Sequence, residues 1–163
     1  MKFFSTIAAL FLSLTIVAQT VAVKDLQLLP GSWKGSLTYI DYGSGKPYTM
    51  PANAAIVQAQ QSGQYLVAIT YPNEPKANGT DTFLISQNGK LFNGATIVQL
   101  QHLENGGVII TTEQEGRDGN DNKKAILKHT YTIQKNIFSN RKEVKFYGEK
   151  KWMLRNEYTF NRQ

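Results

Sequence analysis

From residue 31 onward the chain alternates between apolar and polar side chains with a period of two. Trp33, Gly35, Leu37 and Tyr39 fall on one side of an extended segment, with Lys34, Ser36, Thr38 and Ile40 on the other. The same period returns at Tyr65, Val67, Ile69 and Tyr71, and at Phe83 and Ile85. It is seen again at Ala125, Leu127, His129, Tyr131 and Ile133, at Val144 and Phe146, and at Trp152, Leu154, Tyr158 and Phe160. Strands are therefore expected over 32–42, 64–71, 80–87, 125–135, 143–148 and 151–161. Others are expected over 48–61, 90–93, 95–104 and 108–115, and 136–142 reads as a connection. The apolar residues of 48–61 do not alternate cleanly, so which of them face inward is open.

Turn signals separate these segments. They are Gly43-Ser44-Gly45-Lys46-Pro47, Ser62-Gly63, the polar stretch 72–79, Asn88-Gly89, Asn105-Gly106-Gly107 and the charged loop 116–124. Asn88-Gly89 is the strongest hairpin signal, because a tight primed turn needs positive φ. Helical spacing is confined to one short turn at 23–29, just before Pro30. Eight to ten short strands joined in order by tight turns predict an all-β fold, an antiparallel up-and-down barrel, with a sandwich as the alternative. A membrane-spanning barrel would show an apolar outer band. Here the outer faces carry Lys128, Thr130, Gln134, Lys145, Arg155 and Glu157.

The first residues read differently. Met1-Lys2 is a short positive start, 3–18 is apolar and uncharged, and small residues follow at Ala18 and Ala22. That is the plan of a secretory signal, so residues 1–22 are expected to be removed, with cleavage after Ala18 as the second choice. Residues 23–163 then form one barrel domain, secreted or periplasmic, with no membrane span. The 163-residue chain has no cysteine, which excludes disulfides, thiolate metal sites and cysteine nucleophiles. Its net charge is +6, and loss of Lys2 leaves a mildly basic +5 spread along the sequence.

Gly31-Ser32-Trp33 at the head of the strand string resembles the start of the lipocalin-type, or calycin, barrels. The resemblance implies a barrel plugged at one end by the indole, open at the other, and able to hold a ligand. In that family a basic residue near the last strand packs across the indole. Arg155 and Arg162 are the candidates, and Arg155 is taken as the partner of Gly31 and Trp33.

Catalytic patterns are thin. The two histidines, His102 and His129, lie mid-strand, and neither a Gly-x-Ser-x-Gly turn nor a His-rich zinc pattern is present. Glu113 and Glu115 share one strand face and could do acid–base work with His129. The segment from Asp118 to Asn122 begins like a calcium loop, but Lys123 and His129 occupy positions that need Gly and Glu, so no metal is expected. Asn78-Gly79-Thr80 is a glycosylation acceptor pattern. The basic pairs Lys123-Lys124 and Lys150-Lys151 are too small for a nucleic-acid surface.

The aromatics carry the functional expectation. Trp33, Tyr39, Tyr65, Tyr71, Phe83, Tyr131, Phe146, Trp152 and Tyr158 are phased toward the interior. Converging phenols among apolar rings suit a small apolar or amphipathic molecule. The expected activity is binding, without cofactor or catalysis. An enzyme on the same barrel and an interaction module with a filled barrel are the alternatives.

Overall fold

In a computed structural model of the chain, which describes residues 19–163, the alternating segments become ten strands. They are β1 (Gly31–Ile40), β2 (Pro47–Gln58), β3 (Gln64–Thr70), β4 (Gly79–Leu84) and β5 (Leu91–Phe92). The second half holds β6 (Ala95–His102), β7 (Val108–Asp118), β8 (Lys123–Ile133), β9 (Ile137–Phe146) and β10 (Met153–Arg162). The segment 1–18, most of the expected signal, lies outside the described residues.

Sequence neighbours pair antiparallel and β10 returns to β1, giving the order β4-β3-β2-β1-β10-β9-β8-β7-β6-β5. The two edges, β4 and β5, meet at a short seam. Ile85 bridges Phe92, the Asn93 N–H donates to the Leu84 carbonyl at 2.9 Å, and the Leu84 N–H donates to Asn93 Oδ1 at 2.8 Å. The expected up-and-down barrel is present and nearly closed, so little backbone is left to template pairing with another chain. The segment 136–142, expected as a connection, is mostly β9.

Register settles the phase of β2. Trp33 pairs with Ala54, Gly35 with Ala52 and Leu37 with Met50, so Met50, Ala52, Ala54 and Ile56 face inward, and all four are buried. Small residues gather here. A Cβ on Gly35 would stand 1.9 Å from the Thr159 carbonyl oxygen, so only glycine lets β10 run this close. On the opposite wall the inside is aromatic. Phe83, Phe92, Tyr131 and Phe138 meet edge-on, with centroids 4.8 to 6.2 Å apart.

The closed end is built on Trp33, 1% exposed, whose indole Nε1 donates to the Leu29 carbonyl at 3.0 Å. The cation across it is Arg162, 4.1 Å from the ring, and not Arg155. Arg162 also donates to the carbonyls of Pro30 (2.9 Å), Lys135 (2.6 Å) and Leu28. A Cβ on Gly31 would fall 2.2 Å from its Nη1, which explains the glycine of the Gly-x-Trp triplet. The short 3-10 turn Val23–Leu26 covers this end. Residues before it are part of the cover. Val21 is 2% exposed, its N–H donates to the Gly89 carbonyl at 2.9 Å, and Gln19 reaches the Leu100 N–H. Gly89 has φ 69°, and a Cβ there would meet the Val21 carbonyl at 2.7 Å, so this glycine serves both the turn and the cover.

The reason Arg155 fails as the plug is a β-bulge between Leu154 and Asn156. Leu154 pairs with Glu143 and Asn156 with Lys142, leaving Arg155 as the extra residue. A bulge shifts alternation by one. Arg155 therefore turns inward at the start of β10, at the far end from Trp33, and is buried. For the same reason Trp152, expected inside, lies on the outer wall, with Lys128 and Lys145 at 4.1 and 4.8 Å from its ring. Around it runs a charged ladder of Lys128–Glu143 (2.9 Å), Arg141–Glu143 (3.7 Å) and Arg141–Glu157 (3.4 Å). No helix among the described residues is long and apolar enough to cross a membrane.

Replacing Arg162 by Ala leaves three carbonyls without their donor and uncovers the indole, so a loss of about 2–4 kcal/mol is expected in urea unfolding. Arg162→Lys should recover only part of it, because an ammonium cannot span three acceptors and stack on the ring.

Candidate functional site

Toward the open end the inner wall turns polar. Thr112, Gln114 and Asp118 face inward from β7, His129 from β8, Asn140 and Lys142 from β9, and Arg155 and Asn156 from β10. Asp118 is the hub. Lys142 Nζ lies 2.8 Å from Oδ2 and Arg155 Nε 2.8 Å from Oδ1. Tyr42, from the loop after β1, donates its hydroxyl to Oδ1 at 2.9 Å. Arg155 Nε is close to the carboxylate but off the line of a hydrogen bond, so that contact is an ion pair. The Arg155 guanidinium also sits 4.6 Å over the Tyr42 ring and 5.6 Å over that of Phe146. Burial pushes the Asp118 carboxyl up, but the bonds from Lys142 and Tyr42 and the Lys142 charge more than offset this and hold it below the ordinary range.

Below this cluster, His129 Nδ1 faces Asn140 Oδ1 at 3.1 Å and its ring stacks 5.8 Å from Tyr131. In this arrangement Nδ1 carries the hydrogen and Nε2 keeps a lone pair. Burial lowers its pKa, and the Lys142 charge adds to this against the opposing Asn140 bond. His129 is therefore neutral at pH 7. Burial also pushes the Tyr131 hydroxyl up to about 12, with the Asn93 bond opposing and the Asp81 charge adding. Tyr158 is raised by burial and by its bond with Tyr71, the two hydroxyls lying 2.6 Å apart. These phenols stay protonated and serve as neutral hydrogen-bonding groups.

Between the polar wall and the small residues of β2 lies a cavity of about 110 Å³. Its floor and sides are Ala54, Val67, Ile69, Phe83, Phe138 and Phe160, and its polar edge is Asp81, Asn140 and Tyr158. The volume is the consequence of Ala54 standing opposite large rings. Asp81 reaches the cavity because β4 pairs Phe83 with Tyr65 and Asp81 with Val67, which puts both on the inner face.

Of the aromatics expected inside, Phe83 and Tyr158 line the cavity. Tyr71 reaches it through Tyr158, and Tyr131 stands behind Phe83, their centroids 5.7 Å apart. Tyr39 packs on Tyr48 at 5.4 Å near the open rim, and Phe146 is held under Arg155. Trp33 belongs to the closed end, as does Tyr65, whose hydroxyl lies 3.4 Å from the Val23 carbonyl. Trp152 is outside. Reasoning from the sequence missed Asp81, Asn140 and Lys142, because a polar residue on an inner face is read as a break in the alternation.

The acid–base alternative fails on geometry. Glu113 and Glu115 fall between the inward positions of β7 and lie on the outer wall. Glu115 accepts a bond from the Tyr147 hydroxyl at 2.7 Å, while His129 looks inward. Among the described residues no group of His, Asp and Glu side chains is placed to hold a metal ion.

No protein-family model and no curated protein matches the chain. Among solved structures it is similar to Rv2717c from M. tuberculosis, with a TM-score of 0.51 and 13% identity over 86% of this chain and 96% of that one. At that identity the likeness concerns the fold alone, and it supports the barrel.

The pKa directions give a pH profile. Both His129 and Asp118 are depressed in the folded state, so the unfolded chain takes up these protons first and stability falls with falling pH. Loss through His129 should begin near its unfolded value of about 6.5, and that through Asp118 near about 3.9. His129→Gln should remove the first phase, read as the change in thermal midpoint between pH 7.5 and 5, and leave the second.

Proposed function

We propose that this protein is an exported, lipocalin-like binding protein for a small amphipathic molecule. The observation that carries this reading is the cavity of about 110 Å³, apolar on its floor and polar along one edge. It has room for about four water-sized groups. Each methylene placed there is worth about 0.8 kcal/mol before the cost of association. The ligand accordingly inserts a short apolar portion and leaves its polar end at Asp81, Asn140 and the Tyr71–Tyr158 pair. Tyr158, kept protonated, hydrogen-bonds without adding charge.

In a thermal-shift screen of short amphipathic compounds, binders should raise the midpoint of the wild type. Ala54→Phe, which fills the cavity, should abolish the shift while keeping the barrel's circular dichroism. The packed rings of Phe83, Phe92, Tyr131 and Phe138 favour a second reading, a filled barrel serving as an interaction module. On that reading no compound shifts the midpoint, and Ala54→Leu simply stabilises the protein.

Export rests on the charged start and apolar run of 3–18. Cleavage after Ala18 keeps Val21 in its buried slot against Gly89, whereas cleavage after Ala22 removes it. Intact mass of the exported protein should therefore correspond to a chain beginning at Gln19, and a chain beginning at Val23 would contradict this.

A further inference from the structure

The cavity lining is one-sided in charge. Asp81 is the only ionisable acid or base among its lining residues apart from the phenol of Tyr158, and among the described residues it makes no ion pair. Its carboxylate accepts one hydrogen bond, from the adjacent Thr82 N–H at 2.7 Å. The two inward cations of the polar wall, Lys142 and Arg155, are each engaged by Asp118 at 2.8 Å. Asp81 is exposed at the cavity edge, where a charged head can keep part of its hydration. The same cavity is lined by the rings of Phe83, Phe138, Tyr158 and Phe160. Phe138 and Phe160 are stacked at 5.7 Å, and Tyr158 on Phe160 at 5.8 Å.

A carboxylate beside several aromatic rings, in a small cavity, matches one ligand charge. Ring quadrupoles attract a cation, and the carboxylate supplies its counter-charge. A carboxylate or phosphate head in the same place would meet Asp81 at close range. We propose that the ligand is a small organic cation, an alkylammonium or methylated ammonium. Its nitrogen lies at Asp81 and its carbon groups rest on the phenyl rings. The inference rests on the binding reading above and adds the charge of the head group.

The test is calorimetric titration of the purified protein with three matched compounds: pentylammonium, its neutral isostere 1-pentanol, and pentanoate. Tetramethylammonium serves as a compact fourth. Pentylammonium should bind roughly tenfold more tightly than 1-pentanol, and pentanoate more weakly than either. Asp81→Asn and Asp81→Ser, both at an exposed position, should erase the cation preference, so that the ammonium compound binds no more tightly than 1-pentanol. Equal or tighter binding of 1-pentanol or pentanoate would overturn the cationic head while leaving the binding reading in place. Retention of the preference in both Asp81 variants would overturn the assignment to this carboxylate. Binding of none of the four compounds would overturn it together with the binding reading.

Discussion

Three carbonyl oxygens meet at the closed end of the barrel, those of Leu28, Pro30 and Lys135, and one guanidinium satisfies them all. Arg162 does this while lying flat on the Trp33 ring. The contact joins the first strand, the last strand, the turn before β9 and the segment leading into β1. A barrel made of one antiparallel meander needs its first and last strands held in register, and this contact lies where they pair, Trp33 opposite Arg162. The cation–π attraction alone is worth about 0.5–2 kcal/mol. Its larger effect is that it places a donor where a buried carbonyl would otherwise be unpaired.

With one end sealed, the interior divides into two halves of different chemistry. The lower half is aliphatic and aromatic, with Trp33, Ile56, Val67, Ile110, Ile133 and Phe160 fully buried. The upper half holds His129, Asn140, Lys142, Asp118 and Arg155, and it is kept together by charge. A buried ion cluster is weak evidence for stability, since desolvation offsets much of the attraction. What the cluster does here is fix geometry, drawing the loop after β1 and strands β7, β9 and β10 together over one carboxylate. The single-residue bulge in β10 makes this possible by turning Arg155 inward, and it moves Trp152 to the outside at the same point.

The cavity lies where the two halves meet. It owes its space to Ala54, and its polar edge to residues contributed by β4, β9 and β10. The glutamates that looked most like catalytic groups are separated from it by the thickness of the sheet. One residue of strand phase is enough to move a side chain from the interior to solvent, and Glu113 and Glu115 stand one residue away from the inward positions Thr112 and Gln114.

Much of the fold was legible in period two. Tyr65, Val67, Phe83, Ile85, Tyr131 and Ile133 declared their faces because a half-buried strand separates apolar from polar by simple alternation. The Gly-x-Trp triplet pointed to the plug by its resemblance to a known barrel start, and the structure gives the reason for it: the glycine leaves room for the cation. What alternation could not convey was the inner face of β9, where Phe138 is followed by Asn140 and Lys142. It also could not convey the phase of β10 after an unpaired residue. Both depend on which strand lies alongside, and pairing partners are distant in sequence. The amino-acid order alone determined an all-β chain of short alternating strands, because burial acts locally on each strand, and it pointed to a barrel with a sealed end. Only the assembled sheet decided which arginine seals it, which tryptophan is outside and where a carboxylate meets the rings, because those follow from register between strands.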